Sequence, residues 1–217
     1  EGDTANPYCD IQVEFIYPVT STGVSVDTLQ LFFVQNMLGA AYNTLSPEEA
    51  VEAYAQNYIE NYKYDAETYQ DAVSDMIELN ALIPGIDLSD SEHNVNERFY
   101  SYYETLSNSI VFNRYGIISF QVVQSNNKGG ASSYVSFQNY VIDVNSGQQV
   151  TENELFNAGY DQALQNLIIT SLLEQNNVKT VEELEDFGFF GIPEIVPNKN
   201  FLLTDEGIIY TYNKGEY

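Results

Sequence analysis

Polar and apolar residues alternate from Asp10 to Tyr17, and Pro18, which has no N–H to donate, ends the run. That period of two predicts a half-buried strand. From Asp27 the spacing changes. Leu29, Phe32, Phe33, Met37, Ala40 and Ala41 recur near a period of 3.6, with Asp27 placed to cap the segment, so a first amphipathic helix is expected. Ser46-Pro47-Glu48-Glu49 then combines a capping residue, proline at the first helical position and glutamate three residues after the cap. The stripe Ala50, Val51, Tyr54, Tyr58, Tyr62, Tyr69, Val73, Met76 and Ile77 carries this second helix to Leu79, with a break expected near Tyr64-Asp65. Tyrosines at such spacing mark a core face more often than a ligand site.

Pro84-Gly85 and the polar run Asp87 to Glu92 read as turn and loop. Arg98 to Leu106, Gly116 to Gln124 and Tyr134 to Val144 are rich in Tyr, Phe, Val and Ile, and turn-forming stretches separate them, which predicts an antiparallel meander. Asn126 to Gly130 is the loop before its last strand, and Asn145-Ser146-Gly147 is a tight turn after it. Thr151 to Phe156 fits a short capped helix. Asp161 to Asn176 fits a longer one with an apolar face of Leu164, Leu167, Ile168, Ser171 and Leu172. Thr180-Val181-Glu182-Glu183 reads as another capping box, and Phe201 to Leu203 with Gly207 to Tyr212 reads as a closing hairpin. The sum is an α+β fold, a mainly antiparallel sheet packed against amphipathic helices in two small subdomains.

Composition narrows the function classes. A chain of 217 residues, 44% hydrophobic, can bury roughly 70% of its unfolded surface. Thirty-two acidic residues against seven basic ones give a net charge of −25, which opposes nucleic acid phosphates and anionic lipid and favours either solubility or a cationic partner. Eighteen Tyr and twelve Phe without Trp supply rings with polar tips for half-buried sheet faces. The most apolar window, Leu29 to Tyr42, is interrupted by Gln30, Gln35 and Asn36, short of the ~18 residues a membrane helix needs. Cys9, the lone cysteine, leaves no internal disulfide and reads as an incidental thiol.

Candidate chemistry is sparse. His93, the single imidazole, lies in the acidic stretch Glu92-His93-Asn94 far in sequence from Cys9, so a nucleophile–base pair has no support and His93 reads as a solvated loop residue. Asp87, Asp90 and Glu92 offer hard oxygens for calcium but lack the spaced loop framework and its distal glutamate. Glu182, Glu183, Glu185 and Asp186 read as charge at a helix start. Lys128-Gly129-Gly130 completes no phosphate-binding motif and reads as loop geometry. Among so many acids a carboxylate pair suited to glycan hydrolysis arises by chance. No cofactor or metal is expected.

Three punctuated segments occur in order. They are Lys128-Gly129-Gly130-Ala131, then Tyr140-Val141-Ile142-Asp143-Val144-Asn145-Ser146-Gly147 running into Glu154-Leu155-Phe156, and Phe201 to Tyr210. With Tyr17-Pro18, they resemble a pair of secreted bacterial domains of unknown function, found in the ectodomain of the RsiV anti-sigma factor and in the N-terminal part of the PdaC deacetylase. The resemblance implies domains at 8–130 and 131–217, the second short of its last strand, with the native chain continuing past Tyr217. It implies export to the periplasm or outer surface, with a lipid anchor through a removed N-terminal segment. Ser132 stands where the family usually has His, which removes that imidazole from any role. The expected function is a non-enzymatic recognition module of the cell envelope that binds a cationic, lysozyme-like protein or envelope glycan through Gly129, Gly130, Ser132 and Tyr134. The alternatives are a carboxylate-dependent enzyme on envelope glycan and a structural lipoprotein domain without ligand.

Overall fold

A computed structural model describes residues 8–82, 101–128 and 133–217. The order is β1 (Cys9–Glu14), α1 (Val26–Met37), α2 (Pro47–Leu82), β2 (Tyr102–Arg114), β3 (Ile117–Lys128), β4 (Tyr134–Asp143) and β5 (Gln148–Gln149). There follow α3 (Glu152–Leu155), α4 (Asp161–Asn176), α5 (Val181–Glu185), β6 (Phe201–Leu203) and β7 (Ile208–Tyr210). Strands β1 to β5 form one sheet in chain order, and β6 pairs antiparallel with β7 in a second. The fold is α+β as expected, with the larger sheet mostly antiparallel. The exception is β1, which runs parallel to β2 from Cys9 opposite Tyr102 to Glu14 opposite Ser107.

β1 ends three residues earlier than its alternation predicts. The Ile16 N–H donates to Asn108 Oδ1 and Asn108 Nδ2 donates to the Ile16 carbonyl, both at 2.7 Å, so a side chain replaces the next ladder rungs. Ser25, and not Asp27, caps α1. Its Oγ accepts from the Thr28 N–H at 3.2 Å, and Asp27 lies in the first turn. Ala40 and Ala41 belong to a separate 3-10 turn, Ala40–Tyr42. The break expected near Tyr64-Asp65 is absent. α2 runs unbroken from Pro47 to Leu82, and across the expected break Asp65 accepts from the Tyr102 hydroxyl at 2.8 Å.

The Ser46 capping box is present: Glu49 Oε2 accepts from Ser46 N and Oγ at 3.1 and 2.8 Å. Glu154 serves Thr151 in the same way at the start of α3, at 2.7 and 2.9 Å. At α5 the expected box is replaced by a longer reach, with Glu183 accepting from the Lys179 N–H. On α4, Leu164 and Ile168 are buried as expected, while Leu167 is 67% exposed.

The chain forms two compact units, each drawn from several stretches of the sequence. Within the described residues, one draws on 8–15, 33–82, 101–107, 124–128 and 133–135, and the other on 16–32, 108–123 and 136–217. Thus α1, β2, β3 and β4 each pass from one unit to the other along their length. In the first unit α2 packs on β1, and Phe33, Val34, Leu38, Ala50, Tyr58, Tyr102 and Leu106 are buried. The second unit holds the edge-to-face pair Phe32–Phe120, the stacked pair Phe120–Tyr140, and a cluster of Leu164, Ile168, Leu184, Ile192 and Ile195. Gly23 is required there, since a Cβ would collide with the Val144 carbonyl, the acceptor of the Val24 N–H.

In this second unit an asparagine lattice ties β4 to the β6–β7 hairpin. The Asn139 N–H donates to Asn200 Oδ1 at 2.8 Å, and Asn139 Nδ2 donates to Thr211 Oγ1 at 2.7 Å and to the Asn200 carbonyl at 3.2 Å. Asn139 Oδ1 accepts from Gln121 Nε2 at 2.9 Å. Asn213 adds a paired contact to the backbone N–H and carbonyl of Phe137. Asn139 is 4% exposed, so its polar atoms have little access to water.

Asn139→Leu strips those partners while keeping the volume, and orphaned buried groups cost ~1–3 kcal/mol each. A loss of about 3 kcal/mol in urea unfolding is expected, with a clearly smaller loss for exposed Gln138→Leu. The caps give a pH signature. Hydrogen bonds from the Ser46 side chain, then from its backbone, hold the Glu49 carboxyl below its ordinary value. A depressed folded pKa contributes stability that is present above the unfolded value, near 4.3, and is lost as pH falls through the folded one. The stability gap between wild type and Glu49→Gln is therefore expected to be constant near neutrality and to close as pH drops below about 4 in thermal melts.

Candidate functional site

Gly129, Gly130 and Ser132 lie outside the described residues, as do Asp87, Asp90, Glu92 and His93. Tyr134 is the first residue of β4 and is 52% exposed. Beside that loop, Tyr103 and Ser133 share a hydrogen bond between their hydroxyls, and the Lys128 Nζ sits 5.7 Å from the centre of the Tyr58 ring, within cation–π range. Among the described residues no three His, Cys, Asp or Glu side chains are grouped to hold a metal ion. Cys9 is partly buried, and burial, then the charge of Asp10, pushes its thiol up and away from the reactive thiolate form.

The sequence reading missed two buried carboxyl groups. Glu104, 3% exposed, projects from the same face of β2 as Tyr102 and Leu106 and accepts a hydrogen bond from the Tyr54 hydroxyl of α2. Burial, followed by the Glu104 contact, pushes the Tyr54 phenol strongly up and so keeps it a donor. In the other unit Glu152, 6% exposed, accepts from Tyr210 Oη at 3.0 Å, Tyr160 Oη at 3.1 Å and the Lys199 N–H at 3.2 Å. Each carboxyl is thus committed to tyrosine donors that bridge elements. The only signal in the sequence was position: Glu104 sits in register with Tyr102 and Leu106, where an apolar residue would be expected.

α2 carries nine acidic residues and one lysine. Six of these acids, Glu49, Glu60, Glu67, Asp71, Asp75 and Glu78, fall within an arc of roughly 80° when advanced by about 100° per residue. All six are exposed, whereas buried Tyr58 projects from the opposite side of the helix. The strip is about 44 Å long at 1.5 Å per residue. Glu67, Asp71 and Asp75 are spaced i, i+4, an arrangement that destabilises a helix by ~0.2–0.5 kcal/mol per like-charged pair. The face is therefore unfavourable to the helix itself and favourable to an approaching cation.

Residues 153–217 match the model of DUF3298, a family described as proteins of unknown function. The match covers most of α3 and everything after it. Among solved structures the chain is similar to a DUF3298 family member from Bacteroides fragilis. That likeness has a TM-score of 0.78 at 26% identity and covers 97% of this chain and 77% of that one. A DUF3298 family protein from Pseudomonas aeruginosa aligns over 59% of this chain and 58% of its own, at 12% identity and a TM-score of 0.43. No curated protein matches.

Glu152→Ala takes the acceptor from Tyr210 Oη and the Lys199 N–H and leaves Tyr160 Oη only the longer 3.5 Å contact to Asn153 Oδ1. A loss of about 3 kcal/mol in chemical denaturation is expected, with roughly 1 kcal/mol for Tyr160→Phe, which removes one donor and leaves the acceptor its other partners.

Proposed function

We propose that the protein is an exported recognition module of the cell envelope, and that the acidic face of α2 receives a cationic protein partner. The observation that carries this reading is the strip of six exposed acids on one side of a single helix, within a chain of net charge −25. Such a face steers a basic partner over a Debye length of about 8 Å at physiological ionic strength and speeds encounter in a salt-dependent way. The DUF3298 match and the likeness to a Bacteroides family member support the family context but name no partner. The resemblance to the RsiV ectodomain makes a lysozyme-like protein the partner to try first.

The test is calorimetric titration with a c-type lysozyme at low and at physiological ionic strength. Wild type is expected to bind, more weakly as salt rises. The variant Glu67→Lys/Asp71→Lys/Asp75→Lys is expected to bind at least about tenfold more weakly. Glu174→Lys/Glu185→Lys/Asp186→Lys changes the net charge equally at exposed positions of the other unit and is expected to keep most of the affinity. No heat at low ionic strength sinks the lysozyme version. Equal losses in the two variants sink the α2 face, since net charge alone would then account for the attraction.

A further inference from the structure

Three turns of the second unit meet. Tyr115 and Gly116 alone join β2 to β3, and their φ values of 55° and 76° are those of a type I′ hairpin turn. The Val144 N–H donates to the Gly116 carbonyl at 2.7 Å, and a Cβ on Gly116 would come within 2.7 Å of Asn145 Nδ2, so the turn after β4 lies against the first. Arg114 Nη1 donates to Asp205 Oδ1 at 3.2 Å, which brings in the turn between β6 and β7.

The first central position of a type I′ turn favours Asn, Asp or Gly, because other side chains crowd the backbone in the left-handed region. Tyr115 occupies it with its side chain 90% exposed. The ring centre lies 6.5 Å from that of Phe112, tilted by 42°, but a side chain so open gains little by burial. Neither turn chemistry nor packing therefore accounts for a tyrosine here. A conformational cost that the free protein does not offset points to use of the ring by a ligand.

The groups around the ring are planar hydrogen-bonding side chains of both signs. The Arg114 guanidinium and the Asp205 carboxylate, both exposed, are paired, and exposed Asn145 offers an amide. Asp143 commits its carboxylate to the Asn145 N–H at 2.8 Å and to Ser146 Oγ at 3.2 Å, and Glu206 adds an exposed acid beside Asp205. An anion meets these acids and a cation meets the guanidinium, so a neutral ligand is opposed by neither. A sugar matches the set: its C–H face lies on an aromatic ring, and its hydroxyls donate to carboxylates and accept from guanidinium and amide N–H groups. Tyr115 stands open to solvent, which suits one sugar of a chain better than an enclosed small molecule.

We propose that the Tyr115 turn binds a neutral oligosaccharide, one pyranose ring stacked on Tyr115 beside Phe112 and its hydroxyls hydrogen-bonded to Arg114, Asp205 and Asn145. This site does not rest on the reading of the α2 face and stands or falls separately.

The experiment is an NMR titration of the 217-residue chain with cellotriose, chitotriose and maltotriose, with trigalacturonate and trilysine as charged controls. At least one neutral trisaccharide is expected to give saturable shifts at the amides of Tyr115, Gly116 and Asn145. Tyr115→Phe is expected to keep most of that affinity, because the ring is the stacking group. Tyr115→Asn places the favoured Asn-Gly pair in the turn. It is expected to weaken binding about three- to tenfold, the scale of one aromatic contact, and to leave the melting temperature unchanged or higher. Absence of saturable shifts with all three sugars, or tighter binding of trigalacturonate or trilysine at the same amides, overturns the proposal. So does undiminished binding by Tyr115→Asn or lost binding by Tyr115→Phe. A lower melting temperature for Tyr115→Asn overturns it as well, by assigning the ring to stability.

Discussion

Between β4 and the β6–β7 hairpin, side-chain amides do what a backbone ladder does elsewhere. Asn139 has both of its amide groups engaged, and Asn200 spans from the Phe137 carbonyl to the Thr211 carbonyl with a single NH2 group, at 3.0 Å to each. The hairpin is only three residues long on each side and is a sheet of its own. Two three-residue strands in isolation are not a stable structure. Its position on β4 therefore depends on these amides, helped by Ser119 Oγ, which accepts from the Leu203 N–H at 3.2 Å.

The tyrosines supply the other recurrent device. Tyr54 donates to Glu104, Tyr160 and Tyr210 to Glu152, and Tyr102 to Asp65. At Glu104 and Glu152 the ring contributes apolar burial while the hydroxyl satisfies an acid that would otherwise be costly to bury, whereas Asp65 is exposed and its bond ties α2 to β2. A chain with so few lysines and arginines cannot pair its interior acids with cations, and phenols are the donors it has in abundance. With 32 acids to seven bases most of the negative charge has no cation to pair with, and six exposed acids share one face of α2.

Local signals were legible wherever a short segment decides its own structure. The box at Ser46, the capped start of α3, the bounds of α4, β4 and the closing hairpin follow from spacing and capping chemistry; β2, expected over 98–106, instead runs from Tyr102 to Arg114, and β3 continues through Asn126 to Lys128, which read as loop, because ladder pairing with neighbouring strands overrides the local turn residues. Failures arose where a distant residue intervened. A break was expected near Tyr64-Asp65, but α2 continues there with Asp65 bonded to the Tyr102 hydroxyl; Ile16 looked like strand, but Asn108 takes its backbone. Leu167 fits the apolar period of α4, yet that period does not say how wide a face the neighbours cover. The candidate sites divide similarly: the acids of α2 can be placed on one face by arithmetic, whereas Glu152 lies 58 residues from Tyr210 in sequence and meets it only by folding.

The sequence by itself determined the α+β class, most of the helix and strand positions and the charge excess, because periodicity, capping and composition act over a few residues or over the whole chain without regard to path. Tertiary structure decided that β1 pairs parallel with β2 and that Glu104 and Glu152 are interior groups. Those outcomes rest on hydrogen bonds between residues such as Tyr54 and Glu104 or Asn139 and Asn200, whose energies exist only once water is excluded and which no local pattern announces.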